Sequence, residues 1–357
     1  MALTLHGTVS DNTVVLSRQN ANPLIINGDM AVAQRGTSFT SQTGVAYHLD
    51  RYEVSAYNMG DGVYRVDQST DVPAGQGFAN SNKISCTTAD ASQDANNQFY
   101  FQTQLEGTAT SLLNYFVASP DTVSIAFWVR SNRTGTHSLA LKLSDNGSVE
   151  NNSATRVYNK LYTISSANTW EKIVCAIPLD SSTSETKVTG TGFAVAVLFW
   201  MGAGDSRDGK TAEQWAGNGN ATCASDNEDM LASTSNDWYI TGLQMEVGSF
   251  DANSIPPFQH ESFGDSLQRC QRYFWKPTAE GIGLAATAYG CGGRLDNPTP
   301  MRTTATISNA TFVVNQGSAG TVTVLYPTAT GQILYNSAAN WTTNAAVQVT
   351  CEVGAEL

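Results

Sequence analysis

Charge is scarce in this sequence. Only 14% of its 357 residues are Asp, Glu, Lys or Arg, against about a quarter in an average soluble protein, and the deficit is filled by Ser, Thr, Asn, Gln and 30 Gly. That profile belongs to turn-rich all-β proteins. Basic residues are the rarer sign: 19 against 31 acidic ones leave a net charge of −12, which repels nucleic-acid phosphate and anionic lipid and argues against both as partners. No run approaches the ~20 apolar residues that cross a bilayer, so no membrane insertion is expected. Met1 to His6 lack the basic-then-apolar form of a signal peptide, so a role outside the cell would require release by another route, such as lysis.

Catalytic and metal-binding signatures are also missing. Cys86, Cys175, Cys223, Cys270, Cys291 and Cys351 form no CxxC pair and are expected as buried or free thiols of a protein assembled in a reducing cytoplasm. His6, His48, His137 and His260 lie far apart, outside any HExxH or Cys/His cluster, and no phosphate-binding glycine loop or GxSxG elbow occurs. Glycan-cleaving enzymes need two carboxyl groups flanking the scissile bond. The available groups, Asp50/Glu53, Asp205/Asp208 and Asp226/Glu228/Asp229, read as solvated carboxylates, and no β-helix repeat accompanies them. The expectation is a protein that is not an enzyme, with a glycan depolymerase as the lesser alternative.

What is present is period-two alternation. In the run from Thr122 to Arg130, Val123, Ile125, Phe127 and Val129 fall on one face, which predicts core. The pattern recurs over 137–143, 156–164, 170–177, 192–200 and 237–247, with Gly, Asn, Ser and Asp turns between. Trp128, Trp170 and Trp200 are expected in the core or on the opposite sheet face. A polar stretch over 202–236 is far longer than an ordinary connection. After Pro256 and Pro257, Phe263, Leu267, Cys270 and Phe274 recur at helical spacing behind a Ser262/Asp265 start signal, predicting one short helix. Residues 277–357 return to β character and are too few to be robust alone, so contacts between subunits are expected to support them. The fold class expected is all-β: an attachment segment (1–21), a jelly-roll β-sandwich (22–258), a linking helix (259–276) and a small C-terminal β domain (277–357).

Three segments carry a resemblance. They are Asn22 to Ser38 (NPLIINGDMAVAQRGTS) with Leu49 to Tyr52 (LDRY); Ile240 to Gly248 (ITGLQMEVG) with Phe258 to Gly264 (FQHESFG) and Cys270 to Phe274 (CQRYF); and, more weakly, Pro298 to Thr304 (PTPMRTT). In this order they resemble tail-fibre-like structural proteins of tailed bacteriophages, particularly those infecting marine bacteria. The resemblance implies a jelly roll similar to carbohydrate-binding modules in a homotrimeric virion appendage. It also implies that residues 1–21 attach the protein to other tail or capsid proteins and that exposed domains adhere to host-surface polysaccharide. A tail fibre or adhesin and a purely structural head fibre or connector both fit.

Sugar recognition needs an aromatic platform with amide and carboxylate partners. Trp215 with Asn218, Asn220 and Asp226 forms one candidate glycan-binding set, and Tyr335 with Asn340 and Trp341 another. Asp205 and Asp208, three apart and followed by Gly209, could supply oxygens to calcium, without the further ligands of an EF-hand.

Overall fold

A computed structural model describes residues 22–357 except 91–92, 149–154, 218, 220–221, 225–226, 283–291, 315–321, 326 and 337–345. The expected attachment segment lies outside the described residues. The sandwich comprises β1 Ser38–Gln42, β2 Ala46–Tyr47, β3 Tyr52–Tyr57, β4 Val63–Ser69, β5 Ser81–Thr88, β6 Gln98–Glu106 and β7 Thr122–Ser131. It continues with β8 Gly135–Ser144, β9 Thr155–Ile164, β10 Glu171–Pro178, β11 Phe193–Ala203, β12 Trp215–Gly217 and β13 Asp237–Val247. These form a six-stranded sheet, β1-β4-β5-β13-β7-β10, and a seven-stranded sheet, β12-β9-β8-β11-β6-β3-β2. Every strand pairing is antiparallel. The chain switches sheet at most connections, which makes the sandwich a jelly roll.

Alternation explains the core. Val123, Ile125, Phe127 and Val129 of β7 are fully buried and meet Phe99 and Phe101 of β6, Leu139 and Leu141 of β8 and Val197 and Phe199 of β11 between the sheets. The Phe127 and Phe199 rings stand edge to face with centroids 4.9 Å apart. The three tryptophans of the strand-like runs divide. Trp200 is buried on the outward face of the seven-stranded sheet beside Tyr100 and Leu198, whereas the Trp170 ring lies against Tyr239 and its indole donates to Asp71 over 2.9 Å. Trp128 is half-buried. Cys86, Cys175, Cys223, Cys270 and Cys351 are buried free thiols.

The helix α1, Phe263–Gln271, starts where the sequence placed it, with Ser262 Oγ accepting from the Asp265 backbone N–H. Its inward face differs from the expected stripe: Ser266 and Cys270 are buried, Phe263 is 60% exposed and Phe274 has passed into the next strand. The C-terminal region holds β14 Phe274–Trp275, β15 Thr278–Ile282, β16 Gly292–Asp296, β17 Thr306–Val314, β18 Val322–Leu325, β19 Gly331–Asn336 and β20 Ala346–Gly354. β20 pairs with β14, β15 and β17, and β19 lies between β16 and β18.

This region docks on the chain's own sandwich, through the segments that carry the resemblance. Gln34 Nε2 donates to the Phe274 carbonyl (2.8 Å) and to Asp50 (2.7 Å). Arg35 and Arg51 both pair with Glu356; the Arg35 guanidinium lies 3.5 Å from the Phe274 ring centre and that of Arg51 3.5 Å from the Tyr273 ring centre. Arg302 donates to the carbonyls of Ala355, Glu356 and Thr191, and Arg272 is bidentate to Glu106. Gly28 faces Leu243 of β13: Leu243 N–H donates to Gly28 O over 2.9 Å, and a β-carbon on Gly28 would stand 2.2 Å from Leu243 O. Residues of the quoted motifs thus build a clasp between sandwich and C-terminal region within the chain.

His48 is buried beside this clasp, edge-on to Phe39 at 4.9 Å. Burial first, then the nearby positive charge of Arg35, pushes its imidazole down to about 4. The unfolded chain takes up this proton near pH 6.5 while the folded chain refuses it. His48 therefore favours the fold above pH 6.5, and up to about 3 kcal/mol of that is lost as the pH falls towards 4. Asp50, raised by burial, titrates in the opposing sense, so the direct measurement is an NMR titration of the His48 ring. A midpoint near 4 is expected; one near 6.5 would mean the ring is open to solvent.

Candidate functional site

A cavity of about 700 Å3 lies at the clasp beside Arg35, Arg302 and Glu356, charged groups that already pair with one another or with backbone carbonyls. A second groove of about 510 Å3 runs over the outward face of the seven-stranded sheet. Its lining includes Gln104 Oε1 and Thr222 Oγ1, which have no partner among the described residues, and it is the candidate site.

The groove follows from the pleat. In β6, Phe99, Phe101 and Leu105 point into the core, so Gln98, Tyr100, Gln102 and Gln104 line the opposite face. β3 does the same with Tyr52, Val54 and Ala56 inward and Glu53, Ser55 and Tyr57 outward. Register sets Glu53 opposite Gln102, Ser55 opposite Tyr100 and Tyr57 opposite Gln98. On the other flank, Gln104 stands opposite Ala196 of β11, which stands opposite Lys142 of β8. Ala196 is too small to fill the space between its longer neighbours. The long connection after β11 closes the groove with Arg207 and Thr222, and its Cys223 packs beside Trp200 on the sheet.

Gln102 Nε2 donates to Glu53 Oε1 over 2.7 Å and Ser55 Oγ donates to the same carboxylate. Burial, the larger influence, still raises the Glu53 carboxyl above its usual range against those hydrogen bonds. Gln104 is 6% exposed and its Oε1 has no partner among the described residues. Lys142 is half-buried with no carboxylate in reach among the described residues, and burial pushes its ammonium down to about 8. Tyr57, 47% exposed, lies at one end of the groove.

Of the residues singled out from sequence, Trp215, Tyr335, Asp205 and Asp208 do not line this groove. Trp215 sits in β12 at the sheet edge, where its indole donates to Pro178 O over 2.7 Å and its ring packs against Tyr158. Asn218, Asn220 and Asp226 fall outside the described residues, as do Asn340 and Trp341. Tyr335 is on β19, opposite Gly292 and Thr323. Asp205 and Asp208 lie in a turn in which Asp208 N–H donates to Gly204 O over 3.1 Å, and among the described residues no group of three or more His, Cys, Asp or Glu side chains is placed to hold a metal. The expected glycan-binding sets lie largely in loops, whereas this groove lies on a sheet face. Its signal was the spacing of Gln98, Tyr100, Gln102 and Gln104 at every second position.

Fold and site together define a jelly-roll sandwich with an amide-lined groove across one sheet. No family model matches the chain, and no curated protein does. Among solved structures it is similar to the enzymatically active domain of tailspike protein 4 of bacteriophage CBA120, at 13% identity and a TM-score of 0.30, over 63% of this chain and 21% of that one. A putative sugar binding protein from Bacteroides thetaiotaomicron (11% identity, TM-score 0.34) is matched over 63% of this chain and all of its own. The family 11 carbohydrate-binding module from Clostridium thermocellum (12% identity, TM-score 0.28) is matched over 62% of this chain and 99% of its own. At such scores these likenesses carry no argument about what this chain binds.

Proposed function

We propose that this protein is a non-enzymatic subunit of a tailed-phage appendage that binds host-surface polysaccharide in the groove on its seven-stranded sheet. The observation that carries the binding role is the ladder of Gln98, Gln102 and Gln104 opposed by Tyr57 and Glu53. Amides and a carboxylate with unused bonding capacity suit sugar hydroxyls, and aromatic rings suit the C–H face of a pyranose. Among the described residues the acidic side chain lining the groove is Glu53, already held by Ser55 and Gln102; cleavage requires a second carboxyl group across the bond. The assignment to a virion rests on the sequence resemblance, as do the homotrimer and attachment through residues 1–21. A trimer suits weak sugar binding, since each further site engages at raised effective concentration.

The test is adsorption. Purified, labelled protein is expected to coat the bacterial host and to block adsorption of the phage, without releasing reducing ends from the polysaccharide. A correctly assembled oligomer that neither binds nor competes would contradict the proposal and favour a purely structural virion component. Release of reducing ends would overturn its non-enzymatic part.

A further inference from the structure

We infer that the groove selects polysaccharides bearing anionic groups, carboxylate or sulfate, and that Lys142 is the residue that reads the anion; this deepens the glycan reading and rests on it.

Lys142, Ala196 and Gln104 form one row across β8, β11 and β6. Neighbouring strands lie about 4.8 Å apart, so the α-carbons of Lys142 and Gln104 are separated by roughly 10 Å with only a methyl group between them. Leu357, packed on the cluster that includes Tyr100 and Ala196, also lines this groove. At one wall stands an ammonium half-withdrawn from water, whose only described partner is the Tyr100 ring, 5.8 Å away. At the other stands the Gln104 side chain, 6% exposed, with a carbonyl that accepts nothing.

Burying a cation without an anion is costly, and a deeply placed amide oxygen without a donor costs as well. A sugar acid with its anionic group at Lys142 relieves the first of these, and a neutral sugar would leave the ammonium unpaired. Glu53 does not serve Lys142, being taken up by Ser55 and Gln102 on β3 and β6. The guanidinium of Arg207 lines the same groove and lies near enough to Tyr100 to influence its phenol, so the positive character at this end is shared by two side chains. The net charge of −12 keeps most polyanions away, which leaves local geometry to choose among them.

The experiment is a glycan array carrying neutral, uronate-bearing and sulfated bacterial polysaccharides, probed with the full chain and with Lys142→Met and Lys142→Arg. The wild type is expected to retain acidic polysaccharides at least tenfold more strongly than neutral ones, the strength expected of a charge-assisted contact. Whether uronates or sulfates dominate identifies the anion. Lys142→Met should abolish the preference and Lys142→Arg should keep it. Because Lys142→Met removes an unpaired buried charge, loss of folding is not the expected cause of a change, and unaltered thermal unfolding confirms this. Equal retention of neutral and acidic polysaccharides, or a preference that survives Lys142→Met, would overturn the inference while leaving the groove as a glycan site. An array that retains nothing would contradict the glycan reading itself.

Discussion

Arg51→Ala is expected to lower the free energy of unfolding by about 3–5 kcal/mol, the cost of breaking a buried ion pair from one side. The Arg51 side chain is 2% exposed. It pairs with Glu356, donates to the Gln104 carbonyl and stacks on Tyr273, so one truncation removes contacts to three parts of the clasp. Lysine would not restore them, because a point charge can neither form the same forked bonds nor stack in the same way. Urea unfolding monitored by tryptophan fluorescence measures the loss. Since Arg35 also holds Glu356, at 3.1 Å, Glu356→Ala should be at least as damaging, as it takes the carboxylate from Arg51 and leaves Arg35 only its longer pairing with Asp50, at 3.7 Å. The double substitution Arg51→Ala with Glu356→Ala should cost less than the sum of the two. Strict additivity would show that the clasp holds no coupled network.

Tyr57→Ala combined with Gln102→Ala is expected to weaken glycan binding about a hundredfold. Each loss accounts for about 1.4 kcal/mol, or tenfold: one removes an aromatic platform, the other a side chain that both reaches the ligand and orients Glu53. Tyr57 is 47% exposed, so its truncation should barely move stability, and calorimetric titration with the best array glycan separates the two effects. Trp215→Ala is the counterpart. The indole is spent on Pro178 and Tyr158, so that variant should lose stability and keep its affinity. The reverse pattern would return the site to the long connection.

The strands were legible because their signal is local. The alternation around Phe127 marked β7, and the expected segment 237–247 coincides with β13, Asp237–Val247. Ser262 likewise marked the start of α1. Phe263 broke the helical stripe because nothing in its own neighbourhood indicates which face the sandwich will cover. The clasp was beyond local reading for the same reason: Arg51 and Glu356 are 305 residues apart, and Arg35 and Glu356 321. The motifs holding those residues could be picked out as segments, but their meeting is a property of the closed fold.

The groove shows a different failure. Gln98, Tyr100, Gln102 and Gln104 could be read as the outward face of a strand, and an outward polar face is ordinarily solvated. What distinguishes this one is alignment: Glu53 against Gln102, and Lys142 across Ala196 from Gln104. Strand order and register create those neighbours, and neither is written in any single stretch of sequence.

The most direct test of the central claim is to follow the side-chain amide resonances of the glutamines by NMR while titrating in the glycan that binds best. The account predicts saturable shifts at Gln98, Gln102 and Gln104, with Gln76 and Gln244, which line a cavity on the six-stranded sheet, unmoved. Shifts confined to Gln76 and Gln244, or absent from all five during binding, would place the glycan away from the groove and contradict it.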